Sequence, residues 1–195
     1  MQQAPLGQRG TDECRSSDLL LGFVNTGPHG SSQVELLGDG AALHAWMTGV
    51  GVLDEDDAVT ESDAVAGREL RGALLTVFRE HSGCDGEDMQ LADAEAYLQR
   101  TAERYPLTLR ITAEGAAVTP AQRGVLGAFG ALFAAAADLS STGAWSRMKT
   151  CKNADCHSGF FDKTRNSSGL YCSPACSTQA AQRAYRSRLK DAKVS

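Results

Sequence analysis

Residues 151–176 read CKNADCHSGFFDKTRNSSGLYCSPAC and hold four of the chain's six cysteines. Four residues separate Cys151 from Cys156, three separate Cys172 from Cys176, and fifteen lie between the pairs. Each close pair can present two sulfurs from one tight turn, and the loop between them can bring the second pair round to complete a tetrahedron. Four thiolates with no open position describe one structural zinc ion, not a catalytic one. The segment needs such a device. Its large apolar side chains (Phe160, Phe161, Leu170, Tyr171, Tyr185, Leu189) are too few to build a core. Zinc contributes on the order of 10 kcal/mol or more of folding free energy to modules of this kind. Two disulfides or an iron–sulfur cluster would use the same residues, but cluster spacings differ. The start, MQQAPLGQRGTDECRSSD, lacks a basic stretch followed by an apolar block, so the expected compartment is the cytoplasm, where clustered thiols hold metal. His157 reads as a loop residue, and Cys14 and Cys84 as ordinary thiols.

Ser173 and Pro174 fit the N-cap and first position of a helix that meets no further breaker. Arg183, Arg186 and Lys190 then fall on one face, with Tyr185 and Leu189 expected to pack back on the metal knuckle. The overall charge is −5, yet residues 145–195 carry ten Lys/Arg against three Asp/Glu, a balance of +7 that leaves −12 elsewhere. An acidic body therefore precedes a basic end suited to a polyanion. Such a helix, with Lys163, Arg165 and Asn166 from the loop, can grip phosphates and enter a major groove.

Upstream, the fold class is α+β and mostly helical: a helical body with a small β-hairpin, then a small C-terminal four-cysteine zinc-finger module ending in a basic helix. Residues 1–16 read as a flexible lead-in, 17–144 as the body and 145–195 as the finger module. SDLLLGFVNT (17–26) fits a helix capped by Ser17 or a strand. TGPHGSS is a loop and QVELL a short strand. Asp39 caps a helix carrying Leu43, Trp46, Met47 and Val50, and DEDD (54–57) precedes or opens the next. A long helix buries Leu70, Leu74, Val77 and Phe78 and stops at Gly83. Another helix ends before Pro106, and LTLRIT pairs with AAVT as a hairpin. Thr119-Pro120 starts a last body helix running to about Leu139. Its apolar stretch, Gly127 to Leu139, is too short to span a bilayer and reads as a buried helix, so no membrane is expected.

The C-terminal residues resemble the zinc finger named for its Cys-Gly-Asn-Arg signature. The matching parts are the pair Cys151/Cys156, Phe161-Asp162, Thr164-Arg165-Asn166, the pair Cys172/Cys176 and Tyr185-Arg186-Ser187-Arg188. The body is similar to the stress-induced transcription regulator (ABATE-like) domain usually found ahead of this finger, on Phe23-Val24-Asn25-Thr26 and the helix with Trp46. The resemblance implies a bacterial, zinc-dependent transcriptional regulator. In it Lys163, Arg165, Asn166, Gln179, Arg183, Arg186, Arg188 and Lys190 meet DNA, and the body senses a small molecule or forms a homodimer. From the residues themselves, Asn25, Thr26 and His29 around the TGPHGSS loop, with Trp46, are the candidate ligand contacts, the alternative being that Asn25 and Thr26 only cap or terminate a segment. The protein would then be cytoplasmic, and nucleoid-associated when bound. The signature departs: Ser177-Thr178-Gln179 replaces Gly-Asn-Arg, which spares the metal ligand and removes the residues best suited to read bases. Gln179 can still bond adenine, and Ser177 and Thr178 phosphate. The alternative is a protein-interaction factor with a purely structural zinc knuckle. No catalytic constellation stands out: His29, His44, His81 and His157 are scattered, and no phosphate loop or nucleophile elbow occurs, so no enzyme is expected.

Overall fold

The computed structural model describes the backbone of residues 6–29, 32, 34–84 and 89–194, and side chains at 14–29, 32, 34–84 and 89–190. Helices α1 (Leu6–Val24), α2 (Gly40–Gly49), α3 (Glu61–His81) and α4 (Leu91–Ala102) lead into the hairpin β1 (Leu107–Thr112) and β2 (Gly115–Pro120). Helix α5 (Gly124–Ser141), a 3-10 turn at Trp145–Arg147, the short pair β3 (Met148–Thr150) and β4 (Gly159–Phe161), and α6 (Pro174–Val194) follow. The class is the mostly helical α+β arrangement expected from the sequence.

Helix α3 is the axis. Thr60 and Asp63 form a reciprocal capping box that satisfies two backbone donors at its start. Ala64, Leu70, Leu74, Val77 and Phe78 recur at helical spacing and are buried. Of these, Ala64, Leu70, Leu74 and Phe78 meet Leu43 and Met47 of α2, Leu20, Phe23 and Val24 of α1, and Phe129, Leu132 and Leu139 of α5 in one core. Each Leu, Val, Met or Phe among them contributes about 1.5–3 kcal/mol when fully buried. Tyr105 lies against Phe129 and Phe133, with centroids 5.3 and 5.8 Å away. Asp39 caps α2 by accepting from Ala42 N (2.8 Å). Gly40 is required beside it, since a Cβ there would sit 2.9 Å from the Thr60 carbonyl carbon.

Several expectations are corrected. Helix α1 begins at Leu6, inside the stretch read as a flexible lead-in, and residues 1–5 of that stretch lie outside the described residues. No proline falls between Pro5 and Pro28 to stop it. Ser17 is therefore mid-helix and buried, its hydroxyl donating back to Cys14 O (3.1 Å) instead of capping. QVELL is not a strand over its described residues: Leu36 N donates to Thr26 O (2.8 Å), and Glu35 turns inward to Arg71. Thr119-Pro120 does not open α5. Both sit in β2, opposite Thr108 and Leu107, and Pro120 at the strand's end needs no ladder donor. Helix α5 starts later than expected, at Gly124, and runs to Ser141. It is long and apolar enough to cross a bilayer by length and composition, but its Ala128, Phe129, Leu132, Ala135 and Leu139 line the core.

The C-terminal segment is built onto the body. Met148 is fully buried in the main core. His81 Nδ1 donates to Met148 O (2.8 Å), and Thr150 N donates to Ser82 Oγ (2.8 Å). Trp145 meets Phe78 edge-on at 5.5 Å. The Asn25 side chain accepts from Gly159 N (2.8 Å) and donates to Gly159 O (3.0 Å), pairing with that backbone as another strand would. A Cβ on Gly159 would lie 2.6 Å from Val24 Cγ2, so glycine is what permits this approach.

Candidate metal centre and the helix it anchors

The four sulfurs come from two backbone turns. In the first, Cys151 N donates to Ser158 O (2.9 Å) and Cys156 N to Asn153 O (2.8 Å), with His157 in the left-handed region at φ 54°. In the second, Ser173 Oγ accepts from Cys176 N (3.3 Å), the N-cap bond expected at the start of α6. Cys172 N points at Cys151 Sγ (3.5 Å) and links the two turns.

All four sulfurs lie within 4.8 Å of one another, and Cys172 Sγ is 3.6 Å from both Cys156 Sγ and Cys176 Sγ. A regular tetrahedron with zinc–sulfur bonds of 2.3 Å has edges of about 3.8 Å. The sulfurs are free thiols at a spacing that suits the ion and not a disulfide. The donor set fits one structural zinc. Cys151 and Cys156 are buried, whereas Cys172 and Cys176 lie nearer the surface. Hydrogen bonds from Asn153 and Ser173 bring the Cys176 thiol down to about 7, so it offers a thiolate near neutral pH. Burial pushes Cys151 and Cys172 up, and the neighbouring sulfurs push Cys172 further, whereas a bound cation would favour the thiolate at each.

A second node shapes the loop between the cysteine pairs. The Asp162 carboxylate accepts from Lys149 Nζ (2.7 Å), Thr164 N (2.9 Å), Thr164 Oγ1 (2.7 Å) and Gly169 N (2.7 Å). Lys149 Nζ also donates to Ser167 O (2.5 Å). The side chains of this pair are 7% and 0% exposed. Burial works to raise the Asp162 carboxyl, but the bonds from Lys149, Thr164 and Gly169 outweigh it and hold it well below the usual carboxylate range. Arg147 adds bonds to Asp162 O (2.9 Å) and Thr164 O (2.8 Å).

That node holds Lys163, Arg165 and Asn166 exposed on the loop, on the same segment as exposed Arg186, Arg188 and Lys190 of α6. Two other expected contacts are already engaged. Gln179 Oε1 accepts from Asn153 Nδ2 (2.9 Å), and Arg183 pairs with Asp155. Tyr185 and Leu189 do not pack on the knuckle: they are 58% and 47% exposed, because only the first turns of α6 are tied back. Of the expected ligand contacts, Asn25 holds Gly159, and Thr26 donates to Phe23 O (2.6 Å) and accepts from Arg71 Nη1 (3.1 Å). Trp46 packs on Phe23 with centroids 5.5 Å apart, while His29 lines two cavities. Sequence reasoning missed Lys149, Asn153 and the work of Asp162. One signal was present: Asp162 is one of only three acids in the basic segment.

Two family models match the chain. The one described as "Putative stress-induced transcription regulator" (ABATE) matches residues 17–143, and the CGNR zinc finger matches residues 147–189. No curated protein matches the sequence.

Proposed function

The chain belongs to the ABATE family of transcription regulators and ends in a CGNR zinc finger, and from that premise we propose that it binds DNA through the helix its zinc anchors. The observation that carries the reading is α6 itself. Its start is fixed by Cys176 and Ser173, and Arg186, Arg188 and Lys190 are exposed along it, Arg186 and Lys190 on one face. A rigid origin with a cationic face meets phosphates at a low entropic cost. A cavity of about 620 Å³ flanks this helix and is lined by Asn153, Gln179, Arg183 and Arg186 among others. Among the described residues, Asn153 Oδ1 and Arg183 Nη2, on two residues that line the cavity, are enclosed without hydrogen-bond partners.

The acidic body serves as sensor and as dimer contact in this reading. Leu109, Ile111 and Val118 of the hairpin are 59%, 74% and 41% exposed, an apolar face that a second copy would cover. A cytoplasmic, nucleoid-associated location follows from DNA as partner, and the free thiols suit a reducing compartment. The engagement of Gln179 with Asn153 and of Arg183 with Asp155 favours the second reading, a zinc knuckle that only recognises protein. A gel shift across a salt series separates the two. DNA binding predicts that log affinity falls linearly with log salt, and that Arg186→Ala with Arg188→Ala lowers the slope by about 0.9 for each phosphate no longer neutralised. An unchanged slope in those variants, or no shift at low salt with zinc bound, refutes it.

A further inference from the structure

Where the body meets the finger, a second cavity of about 250 Å³ lies between one face of α3, the turn after α1 and the metal knuckle. We infer that this seam cavity is a binding site for a small anion carrying two or more acceptor oxygens, a dicarboxylate or a phosphate monoester. The inference rests on the reading of the body as a sensor and names the site and ligand class.

Residues 1–144 hold nine basic residues, all arginine, against 21 acids. Three of the nine, Arg68, Arg71 and Arg79, line this cavity from α3. Spacings of three and eight put them on one stripe of the helix, with Gly72, Leu75 and Thr76 as its floor.

Glu35 takes two bonds from Arg71, at 2.7 and 2.5 Å, and that bond holds the Glu35 carboxyl below its usual range. Glu35 itself is not among the lining residues, and none of the described lining residues carries a carboxylate. The pair orients Arg71, and Arg68 and Arg79 line the same cavity from α3. Gly27 closes over the Arg71 guanidinium: a Cβ there would stand 2.9 Å from Arg71 Cζ. His29 and Asn25 supply polar groups from the same turn. His157, which follows the metal ligand Cys156 and has a left-handed backbone, lines the cavity from the knuckle.

Size selects the ligand class. Liquid water occupies about 30 Å³ per molecule, so the cavity holds roughly eight waters. That suits a metabolite of about ten heavy atoms and is below the range for nucleotide-sized ligands. Guanidinium groups held on one helix face favour compact oxyanions through bidentate bonds. Since Arg68 and Arg79 belong to the body and His157 to the knuckle, an occupant bonds to both sides of the seam.

The test is calorimetry on the zinc-loaded full chain with two probes, orthophosphate and succinate, alongside a DNA gel shift. One probe is expected to bind at one site per chain and to raise the melting temperature. Arg68→Gln with Arg79→Gln should weaken it on the order of tenfold or more, since each charge-assisted bond carries that much. Because Arg68 also donates to Leu37 O and Gly38 O, His157→Asn is the second variant. Asparagine accepts the left-handed backbone, so zinc content and melting temperature should hold while the probe binds severalfold more weakly. The inference is overturned if neither probe binds at millimolar concentration. It is equally overturned if binding survives both sets of substitutions, or is abolished only by Arg186→Ala. Probe binding without any gel shift would refute the DNA reading and leave this site standing. A normal gel shift with no probe binding would do the reverse.

Discussion

Replacing Asp162 by asparagine keeps the shape of the side chain and removes its charge. The carboxylate is enclosed and accepts four hydrogen bonds, and its partner Lys149 is nearly as buried. After substitution one oxygen can still serve Thr164, but the amide NH2 faces the Lys149 ammonium and Gly169 N, donor against donor. Lys149 is then a buried cation with only the Ser167 carbonyl left. Breaking a buried pair by removing one partner costs about 3–5 kcal/mol. For a chain of this size each kcal/mol lowers the melting temperature by about 2–4 °C, so a fall of roughly 10 °C is expected. Asp162→Asn combined with Lys149→Met should recover part of the loss, because no unpaired charge remains. Acid should narrow the gap between parent and Asp162→Asn. The folded carboxyl sits below its unfolded value near 3.9, so its stabilisation is present above that pH and lost as pH falls through and below it. Protonation of the cysteines releases zinc from both chains alike, so the difference between them is the quantity to read. Thermal unfolding of both singles and the double, with zinc content monitored, is the assay. A single-variant loss under about 0.5 kcal/mol, or strict additivity in the double, refutes the claim that this pair organises the loop.

Cys176→Ser should abolish stoichiometric zinc and unravel α6, seen as lost helical dichroism and metal content, because that ligand joins the centre to the helix. Gly159→Ala should destabilise by about 1–3 kcal/mol in denaturant titration, since its methyl enters the space of Val24 Cγ2, and an unchanged midpoint would show that the seam is loose. Phe129→Ala should cost about 3–5 kcal/mol by the same titration without lowering zinc content, which would separate the core from the metal centre.

The elements legible in the sequence were those whose cause is local. The faces of α2 and α3 follow from apolar residues at helical spacing, Asp39 and Gly83 mark their ends, and four cysteines at two short spacings announce their own ligand. The errors arose where a local signal competed with a distant partner. Thr119-Pro120 has the look of a helix start, but β1 was available to pair with it. Ser17 has the chemistry of a cap, but the helix around it had no reason to stop. Asn25 looked like a ligand contact because its partner, the backbone of Gly159, is 134 residues away. Lys149 and Asp162 were seen as members of a charge balance, since nothing in linear order says that those two are enclosed together.

The insertion of Met148 into the same core as Phe78 and Leu139 has a further consequence. Cutting at Gly143, where the family boundaries invite it, would tear the chain through its hydrophobic interior. The longer fragment would be left with a greasy socket, and the shorter one would lose the floor on which its metal knuckle rests. Halves exchanged between related proteins should therefore work only when the plug and its socket travel together.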